Sequence, residues 1–285
     1  MFRLAYNTNG LAHHRVLDAL ELLADLGYEG VALTPDAGRL DPDHLDPAEV
    51  RAVRARAEEL GLALAVETGA RFLVDPRRKH HPTLLDGEVR ERARRADFLR
   101  RSIDLARDLG AGVVSIWSGV SPDGSRARDR GRAVEQRWEH LVAGLVPLLD
   151  HAAAAGVRIG FEPEPGMFVE RPDEYAELVR RLGARGDELG LTLDVGHLVA
   201  TDDLPVGRAI RAHGARLVHV HLDDCPRGVH EHRLFGAGDL DLGEALNALL
   251  EVGYSGLAAV ELSRDSHRGP EAAALAIDAL RGALP

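Results

Sequence analysis

The chain contains 285 residues, 45% of them hydrophobic and 28% charged, and carries a formal net charge of −11. This composition is typical of a globular protein with a buried core, and the acidic balance disfavours nucleic acid as a partner because phosphate binding depends on basic surfaces. The single cysteine, Cys225, cannot form an internal disulfide, so the sequence predicts a cytoplasmic protein. No apolar run approaches the ~20 residues of a membrane helix, and strand-like residues start almost at the N-terminus, so we expect no membrane partner and no signal peptide.

Strand-like and helix-like segments alternate through the first half of the chain. Short apolar runs predict strands, and apolar residues at helical spacing followed by glycine predict helices. The predicted strands are 2–6, 30–34, 62–67 and 112–117, and the predicted helices are 16–26, 47–60, 88–109 and 134–155. Two long segments without periodicity, 68–87 and 118–132, follow the third and fourth strands. Loops of this length in compact domains usually carry function.

The second half continues the alternation with shorter connections. The predicted strands are 158–162, 191–194, 217–221 and 257–261, and the predicted helices are 172–182, 206–213, 242–250 and 270–284. Eight strand–helix pairs without a break in composition predict an α/β fold, a single (β/α)8 TIM barrel over residues 1–285. An open doubly wound sheet is the alternative. It is disfavoured because the first strand is followed by YNTNG (6–10) and not by a glycine-rich phosphate motif.

Each of the last four predicted strands ends in a side chain that can bind a metal ion. These residues are Glu162, Asp194, His221 and Glu261. The C-terminal ends of the strands of a parallel barrel converge on one face, where barrel enzymes carry their active sites. Three carboxylates and one imidazole at that face predict a site for one divalent cation. The mixed oxygen and nitrogen donors do not distinguish among Mn²⁺, Mg²⁺, Co²⁺ and Zn²⁺.

The residues around these ligands form four recognisable motifs: FEPEPG (161–166), LDVGH (193–197), VHVHLDD (218–224) and VEL (260–262). They resemble the motifs of the xylose isomerase-like TIM barrels, a superfamily that includes sugar epimerases of the D-tagatose 3-epimerase type, hydroxypyruvate isomerases, inosose dehydratases and apurinic endonucleases. The resemblance follows the strand order of the whole chain, but its specific motifs lie from the fifth strand onward.

By position, the resemblance implies that the four strand-end residues are the metal ligands and that Glu162 and Glu261 are also the catalytic acid–base pair. It further implies that His197 and Arg227 contact the substrate. Moving a proton next to a carbonyl needs a base on one face, an acid on the other and a cation that holds the developing enediolate charge. The sequence therefore predicts a divalent-metal-dependent isomerase or epimerase of a small sugar, keto-polyol or sugar phosphate. An inosose-type dehydratase and a non-catalytic metabolite-binding barrel are the alternatives.

Two sequence differences from members of this superfamily narrow the choice of reaction. Xylose isomerase itself has a lysine two residues beyond the strand-five glutamate, where this chain has Glu164, so a hydride shift is disfavoured. The spacing of His230 and His232 resembles an Asp-x-His pair that adds metals in the apurinic endonucleases. However, Glu67 and Trp117 stand at the early strand ends where those enzymes have extra histidines. A nuclease is thus disfavoured, and we expect His230 and His232 at the surface or in a supporting role, with a second metal left open.

Further substrate contacts are expected from the first half of the chain. Glu67 and Trp117 end the third and fourth strands and are expected to line the pocket, although Trp117 has a core position as its alternative. Segment 68–87 is expected to pack over the barrel mouth, where Arg71 and Lys79 would bind an acidic group of the substrate; a solvated charge run is the alternative. The expected partner is a small polyhydroxy carbonyl compound, with or without an anionic group, and assembly into a homo-oligomer is left open.

Overall fold

The computed structural model describes residues 1–69 and 71–285, which form one closed barrel of eight parallel strands in chain order. The strands are β1 Arg3–Asn7, β2 Gly30–Leu33, β3 Ala63–Glu67, β4 Val113–Ile116, β5 Arg158–Phe161, β6 Leu189–Asp194, β7 Leu217–Leu222 and β8 Leu257–Val260. Parallel pairing of β1 with β8, from Arg3 opposite Leu257 to Tyr6 opposite Val260, closes the barrel. The predicted TIM barrel is therefore confirmed, and the alternative of an open doubly wound sheet is wrong.

Helices pack around the outside of this barrel. They are α1 Val16–Leu26, α2 Pro47–Leu60, α3 Val89–Leu109, α4 Arg132–Ala155, α5 Pro172–Leu182, α6 Val195–Ala200, α7 Val206–His213, α8 Leu242–Glu251 and α9 Gly269–Ala283. The connections from β3 to α3 and from β4 to α4 are long, as the sequence predicts. Ala70, within the predicted segment 68–87, lies outside the described residues. None of the described helices is both long enough and apolar enough to cross a bilayer.

The helix boundaries follow local sequence signals. Pro47 and Pro172 occupy the first turns of α2 and α5, where the missing N–H of proline costs no hydrogen bond. Gly61 and Gly110 end α2 and α3 with φ angles of 70° and 74°, a left-handed conformation that glycine adopts without steric cost. The short helix α6 was not predicted, because six residues are too few to show a periodic pattern.

Small side chains fill the inside of the barrel below the C-terminal face. Ala5, Ala32, Ala65 and Ala259 form, together with Leu257, a cluster separate from the main core between strands and helices. Every second residue of a strand points to the same face of the sheet, so Glu67 shares the inner face with Ala65, and Glu261 shares it with Ala259. The alanines thus leave room for large polar side chains at the upper end of the barrel.

Candidate metal centre and active site

A cavity of about 290 Å³ opens at the C-terminal ends of the strands. Seven residues predicted for the site line it, from strand ends or from the loop after β3: Glu67, Trp117, Glu162, His221, Glu261, Arg71 and Lys79. Residues that the sequence analysis did not assign to the pocket also line it, among them Asn9, Ser115, Glu164, His230, His232 and Arg264. The cavity is therefore strongly polar and carries both signs of charge.

The four strand-end residues converge at this cavity: three of them line it, and the fourth, Asp194, is buried beside them. Each residue of this strand-end cluster (Glu162, Asp194, His221 and Glu261) offers one donor atom, and these atoms all lie within 4.8 Å of one another. His221 Nδ1 lies 2.9 Å from Glu162 Oε1, 3.2 Å from Glu261 Oε2 and 3.8 Å from Asp194 Oδ2. Oxygen donors from three carboxylates and one imidazole nitrogen suit a divalent cation.

One carboxylate oxygen of Asp194 accepts a hydrogen bond, and the other has no hydrogen-bond partner among the described residues. It caps the N-terminus of α6, where Oδ1 accepts a hydrogen bond of 3.0 Å from the backbone N–H of His197. Oδ2 is buried and has no hydrogen-bond partner among the described residues. A buried carboxylate oxygen without a partner is costly, and a cation removes that cost. This orphaned oxygen indicates that the strand-end cluster fits a metal ion.

His221 is held between carboxylates on both sides of its ring. Its Nε2 lies 3.1 Å from Glu67 Oε1, which also lies 2.9 Å from Nε2 of the buried His219. Burial by itself lowers the pKa of His221, but Glu67, Glu162 and Glu261 outweigh it and hold that pKa well above the usual value. Burial likewise opposes the ionisation of Glu67, yet His221 and His219 keep its pKa below the ordinary value. The metal-free centre therefore contains an imidazolium among carboxylates.

The two glutamates of the FEPEPG motif, Glu162 and Glu164, have raised pKa values, in contrast to the lowered pKa of Glu67. Burial raises the pKa of Glu162 to about 7, with the attraction of His221 only partly opposing it and Glu261 and Asp194 adding to the rise. Burial and the neighbouring Glu162 carboxylate raise the pKa of Glu164 well above its usual value. Crowded, buried acids retain protons that isolated acids would lose, and groups of this kind mark functional sites.

Glu261 is oriented by a residue from the opposite end of the sequence. The Asn9 amide Nδ2 donates a hydrogen bond of 2.8 Å to Glu261 Oε1, so Oε2 is the oxygen that faces His221. Asn9 follows β1, and its position is fixed by Asn7, whose Oδ1 accepts from the Asn9 backbone N–H over 3.0 Å. The sequence analysis missed Asn9, because a single asparagine after a strand does not reveal its partner 252 residues away.

Three histidines form a second group beside the strand-end cluster. The rings of His197 and His230 are 4.7 Å apart between centroids, those of His197 and His232 are 5.6 Å apart, and those of His230 and His232 are 5.0 Å apart. Donor atoms of this histidine cluster also lie within 4.8 Å of one another, and His232 contacts Asp223. Because His230 and His232 line the cavity, the expectation that they lie at the outer surface is wrong, whereas a supporting role remains open.

Two predicted substrate contacts do not line the cavity in this structure. His197 is buried, its Nδ1 lies 3.2 Å from the carbonyl oxygen of Pro163, and its Nε2 lies 3.6 Å from Asp194 Oδ2. Burial lowers the pKa of His197 to about 3, so the ring is neutral at pH 7. Arg227 is exposed and forms an ion pair of 2.6 Å with Asp202. The backbone N–H of His197, and not its ring, orients Asp194, and substrate contact by His197 or Arg227 stays a prediction.

Comparison with solved structures shows the same fold in several sugar epimerases. A D-allulose 3-epimerase from Methylomonas sp. superposes with a TM-score of 0.78 at 17% identity, covering 99% of this chain and 98% of that chain. An L-ribulose 3-epimerase superposes with a TM-score of 0.76 at 20% identity, covering 99% and 96%. At these identities the likeness demonstrates a shared fold.

Curated relatives have different reactions in their names. A 3-dehydroshikimate dehydratase from Pseudomonas putida is 29% identical over 279 residues, which are 94% of this chain and 39% of the relative. An L-ribulose-5-phosphate 3-epimerase from Salmonella paratyphi A is 26% identical over 263 residues, which are 90% of this chain and 85% of the relative. An uncharacterised protein from Methanocaldococcus jannaschii is 26% identical over 179 residues, 61% of this chain and 59% of the relative. The chain thus spans less than two thirds of the length of the dehydratase and of the Methanocaldococcus protein.

The family comparison agrees with the observed barrel fold. The family described as xylose isomerase-like TIM barrel matches residues 20–283, from α1 to the end of α9. The chain belongs to the xylose isomerase-like TIM barrel family.

Proposed function

We propose that this protein is a divalent-metal-dependent isomerase or epimerase of a small sugar, keto-polyol or sugar phosphate that transfers a proton through an enediolate. The observation that carries the proposal is the convergence of donor atoms from Glu162, Asp194, His221 and Glu261 within 4.8 Å of one another, with three of these residues lining one cavity. The names of the Salmonella relative and of the two solved structures described above, which are 3-epimerases of ketoses or a ketose phosphate, support the reaction class.

The metal would be held by the strand-end cluster, whose Asp194 Oδ2 has no partner among the described residues. A bound divalent cation supplies Lewis-acid stabilisation of negative charge on substrate oxygens. The protein's own contribution is to fix the donor atoms: Asn9 orients Glu261, the α6 N-terminus orients Asp194, and Glu67 orients His221. Such supporting hydrogen bonds hold ligands in a productive geometry.

Glu162 and Glu261 are proposed to exchange the proton with the substrate. They follow β5 and β8, so their carboxylates enter the cavity from different sides of the strand-end cluster. A carboxylate on one face of the reacting carbon can remove a proton while the other returns one to the opposite face, which inverts the centre. A bound cation would hold both carboxylates ionised in the resting enzyme, so that one of them can remove the proton.

A dehydratase is the second candidate, because the dehydratase from Pseudomonas putida is 29% identical over 94% of this chain. Elimination of water begins with the same proton removal next to a carbonyl and then requires an acid at the leaving hydroxyl. Glu164 lines the cavity, and burial together with Glu162 raises its pKa well above the usual value, so it would keep a proton to donate. A barrel that only binds a metabolite would need none of these perturbed acids.

One experiment separates these possibilities. Protein stripped with chelator and then reloaded with Mn²⁺, Mg²⁺, Co²⁺ or Zn²⁺ is incubated in D₂O with ketoses, ketose phosphates, inososes and 3-dehydroshikimate, and products are followed by NMR. Metal-dependent deuterium uptake with an inverted or isomerised product supports the isomerase or epimerase, whereas loss of water supports the dehydratase. Metal binding without exchange or water loss for any compound would contradict both enzyme proposals.

A further inference from the structure

The loop after β3 brings positive charge into the cavity that no acidic side chain neutralises. Arg71 and Lys79 line the cavity and form no ion pair with any carboxylate of the described residues. Arg78, on the same loop, pairs with Asp75 at 2.7 Å, whereas Arg77 has no ion pair among the described residues and does not line the cavity. The chain has 46 acidic and 35 basic residues, so carboxylates are in excess. Arg71 and Lys79 therefore differ from the other cations of the loop in that they are both unpaired and placed at the cavity.

The backbone of the loop fixes this arrangement. The His80 N–H donates a hydrogen bond of 2.7 Å to the carbonyl oxygen of Arg71, which brings Arg71 next to Lys79 and His80. His80 has a φ angle of 62°, a left-handed conformation that is unfavourable for a residue with a side chain. Unfavourable backbone conformations persist where the surrounding structure holds them, and they are concentrated at functional sites.

A third cation lies behind this loop. Arg95 is only 1% exposed, and its Nη2 has no hydrogen-bond partner among the described residues. Its guanidinium carbon lies 4.2 Å from the centroid of the Trp117 ring, and the His80 ring contacts Trp117 edge-on at 5.1 Å. Burial lowers the pKa of Arg95 to about 9, so the guanidinium stays charged at pH 7. Burial, assisted by Lys79, Arg95 and Arg71, lowers the pKa of His80 to about 3, as expected where positive charge is concentrated.

We propose that the substrate carries an anionic group, a carboxylate or a phosphate, which binds at this cationic wall of Arg71 and Lys79 with Arg95 behind it. The inference rests on the proposed function and specifies its substrate class. The floor of the same cavity contains Glu162 and Glu261, whose ionised carboxylates repel an anion. A substrate with one acidic end therefore binds in a single orientation, with the acidic end at the cationic wall and the carbonyl end at the strand-end cluster.

Two matched pairs of ligands test the proposal by calorimetric titration of the metal-loaded protein. The phosphate pair is L-ribulose 5-phosphate and L-ribulose, and the carboxylate pair is 3-dehydroshikimate and its methyl ester. We expect the anionic member of at least one pair to bind at least about tenfold more tightly than its neutral partner, as is typical of a charge-assisted hydrogen bond. The pair that shows the preference identifies the group as phosphate or carboxylate.

Single substitutions test whether the cationic wall causes the preference for the anionic ligand. Arg71→Gln and Lys79→Gln should each weaken binding of the preferred anion by about tenfold and leave the neutral partner unchanged. Arg77→Gln is the matched control, because it removes the same charge from the same loop at a residue that does not line the cavity. Equal binding of anionic and neutral partners in both pairs, or equal losses in Arg71→Gln and Arg77→Gln, would overturn the proposal. Because binding is measured without turnover, a protein that prefers the anion yet exchanges no deuterium would contradict the proposed function and leave the anion site standing.

Discussion

Glu67 Oε1 lies 3.1 Å from His221 Nε2, while Nδ1 of the same ring faces Glu162, Glu261 and Asp194. A carboxylate on one nitrogen of a histidine fixes the tautomer and leaves the other nitrogen for a metal. We therefore predict that Glu67→Gln, which keeps the size and removes the charge, weakens binding of the divalent ion by about 10–100-fold. Titration of the chelator-stripped protein with Mn²⁺ or Co²⁺ measures the change.

The control for this variant is Ser115→Ala, which removes a buried hydrogen bond of 3.0 Å to Thr192 without touching a proposed ligand. Its metal affinity should equal that of the wild type. An unchanged affinity in Glu67→Gln, with the variant folded as judged by its melting temperature, would show that Glu67 does not support His221.

Metal binding should release protons. The pKa of His221 is held well above its usual value by Glu67, Glu162 and Glu261 against the effect of burial, so the metal-free ring carries two protons at pH 7. A cation bound by His221 would displace one of these protons, and it would also displace the proton that Glu162, with a pKa of about 7, holds part of the time at this pH. We therefore expect release of more than one proton per ion at pH 7 and an affinity that rises with pH. Titrations in buffers of different ionisation enthalpy count the released protons.

The raised pKa of His221 also affects how the stability of the metal-free protein depends on pH. A histidine whose pKa is raised by folding stabilises the fold below its unfolded pKa of about 6.5, and this contribution is lost as the pH rises through the folded value. Glu162, whose pKa burial raises to about 7, acts in the same direction at lower pH, because between its unfolded pKa of about 4.3 and pH 7 the folded state holds a proton that the unfolded state has lost. The free energy of unfolding in chelator should therefore fall as pH rises above 7, and added metal should remove this trend. A metal-free protein that gains stability above pH 7 would contradict the charge arrangement.

Glu162 and Glu261 should both be required for turnover. Glu162→Gln and Glu261→Gln keep side-chain size and one possible oxygen ligand but cannot exchange a proton. Each should lower the rate of deuterium uptake by at least about 10²–10⁴-fold, the usual contribution of a general acid or base. Glu58→Gln, at an exposed glutamate on α2 that pairs with Arg54, is the control and should retain full activity. Near-full activity of either cavity variant, with metal bound, would exclude the pair.

The features of this protein that could be predicted are those that depend on short stretches of its sequence. The barrel was predictable because each strand and helix has its own pattern, and glycine stops such as Gly61 need only local information. The strand-end cluster was predictable in outline because the ends of parallel strands share one face. These features depend on period and position, which the sequence shows directly.

The supporting contacts were not predictable, because they join residues distant in sequence. Asn9 binds Glu261, and Glu67 contacts both His219 and His221, in each case across more than 150 residues. Nothing in the sequence around Asn9 indicates such a partner. His230 was misplaced for a related reason: the loop after β7 is polar, and polarity alone does not distinguish a solvated loop from one folded into a cavity.

The loop after β7 depends on one buried carboxylate, which gives a final prediction. Asp224 is fully buried; its Oδ2 accepts from the backbone N–H groups of Gly236 and Gly238 over 2.8 and 2.9 Å, and its Oδ1 accepts from Leu240 over 2.9 Å. A side chain at Gly238 would meet Asp224 Oδ1 at 2.3 Å, so the backbone approaches as closely as glycine permits. Asp224→Ala leaves three N–H donors without their acceptor, and unsatisfied buried donors cost roughly 1–3 kcal/mol each.

We therefore expect Asp224→Ala to lower the free energy of unfolding by about 3 kcal/mol or more in urea titrations of the metal-free protein, since partial solvation of the loop would recover part of the full cost. Asp239→Ala is the matched control, because Asp239 is exposed in the same loop and, among residues 1–69 and 71–285, its side chain accepts only from the Arg227 backbone N–H. Its effect should stay within about 1 kcal/mol. The same loop carries His230 and His232 into the cavity, so the NMR signals of these two histidine rings should shift in Asp224→Ala and not in Asp239→Ala. Equal stability losses in the two variants, or unchanged histidine signals in Asp224→Ala, would show that the buried carboxylate does not hold the loop against the site.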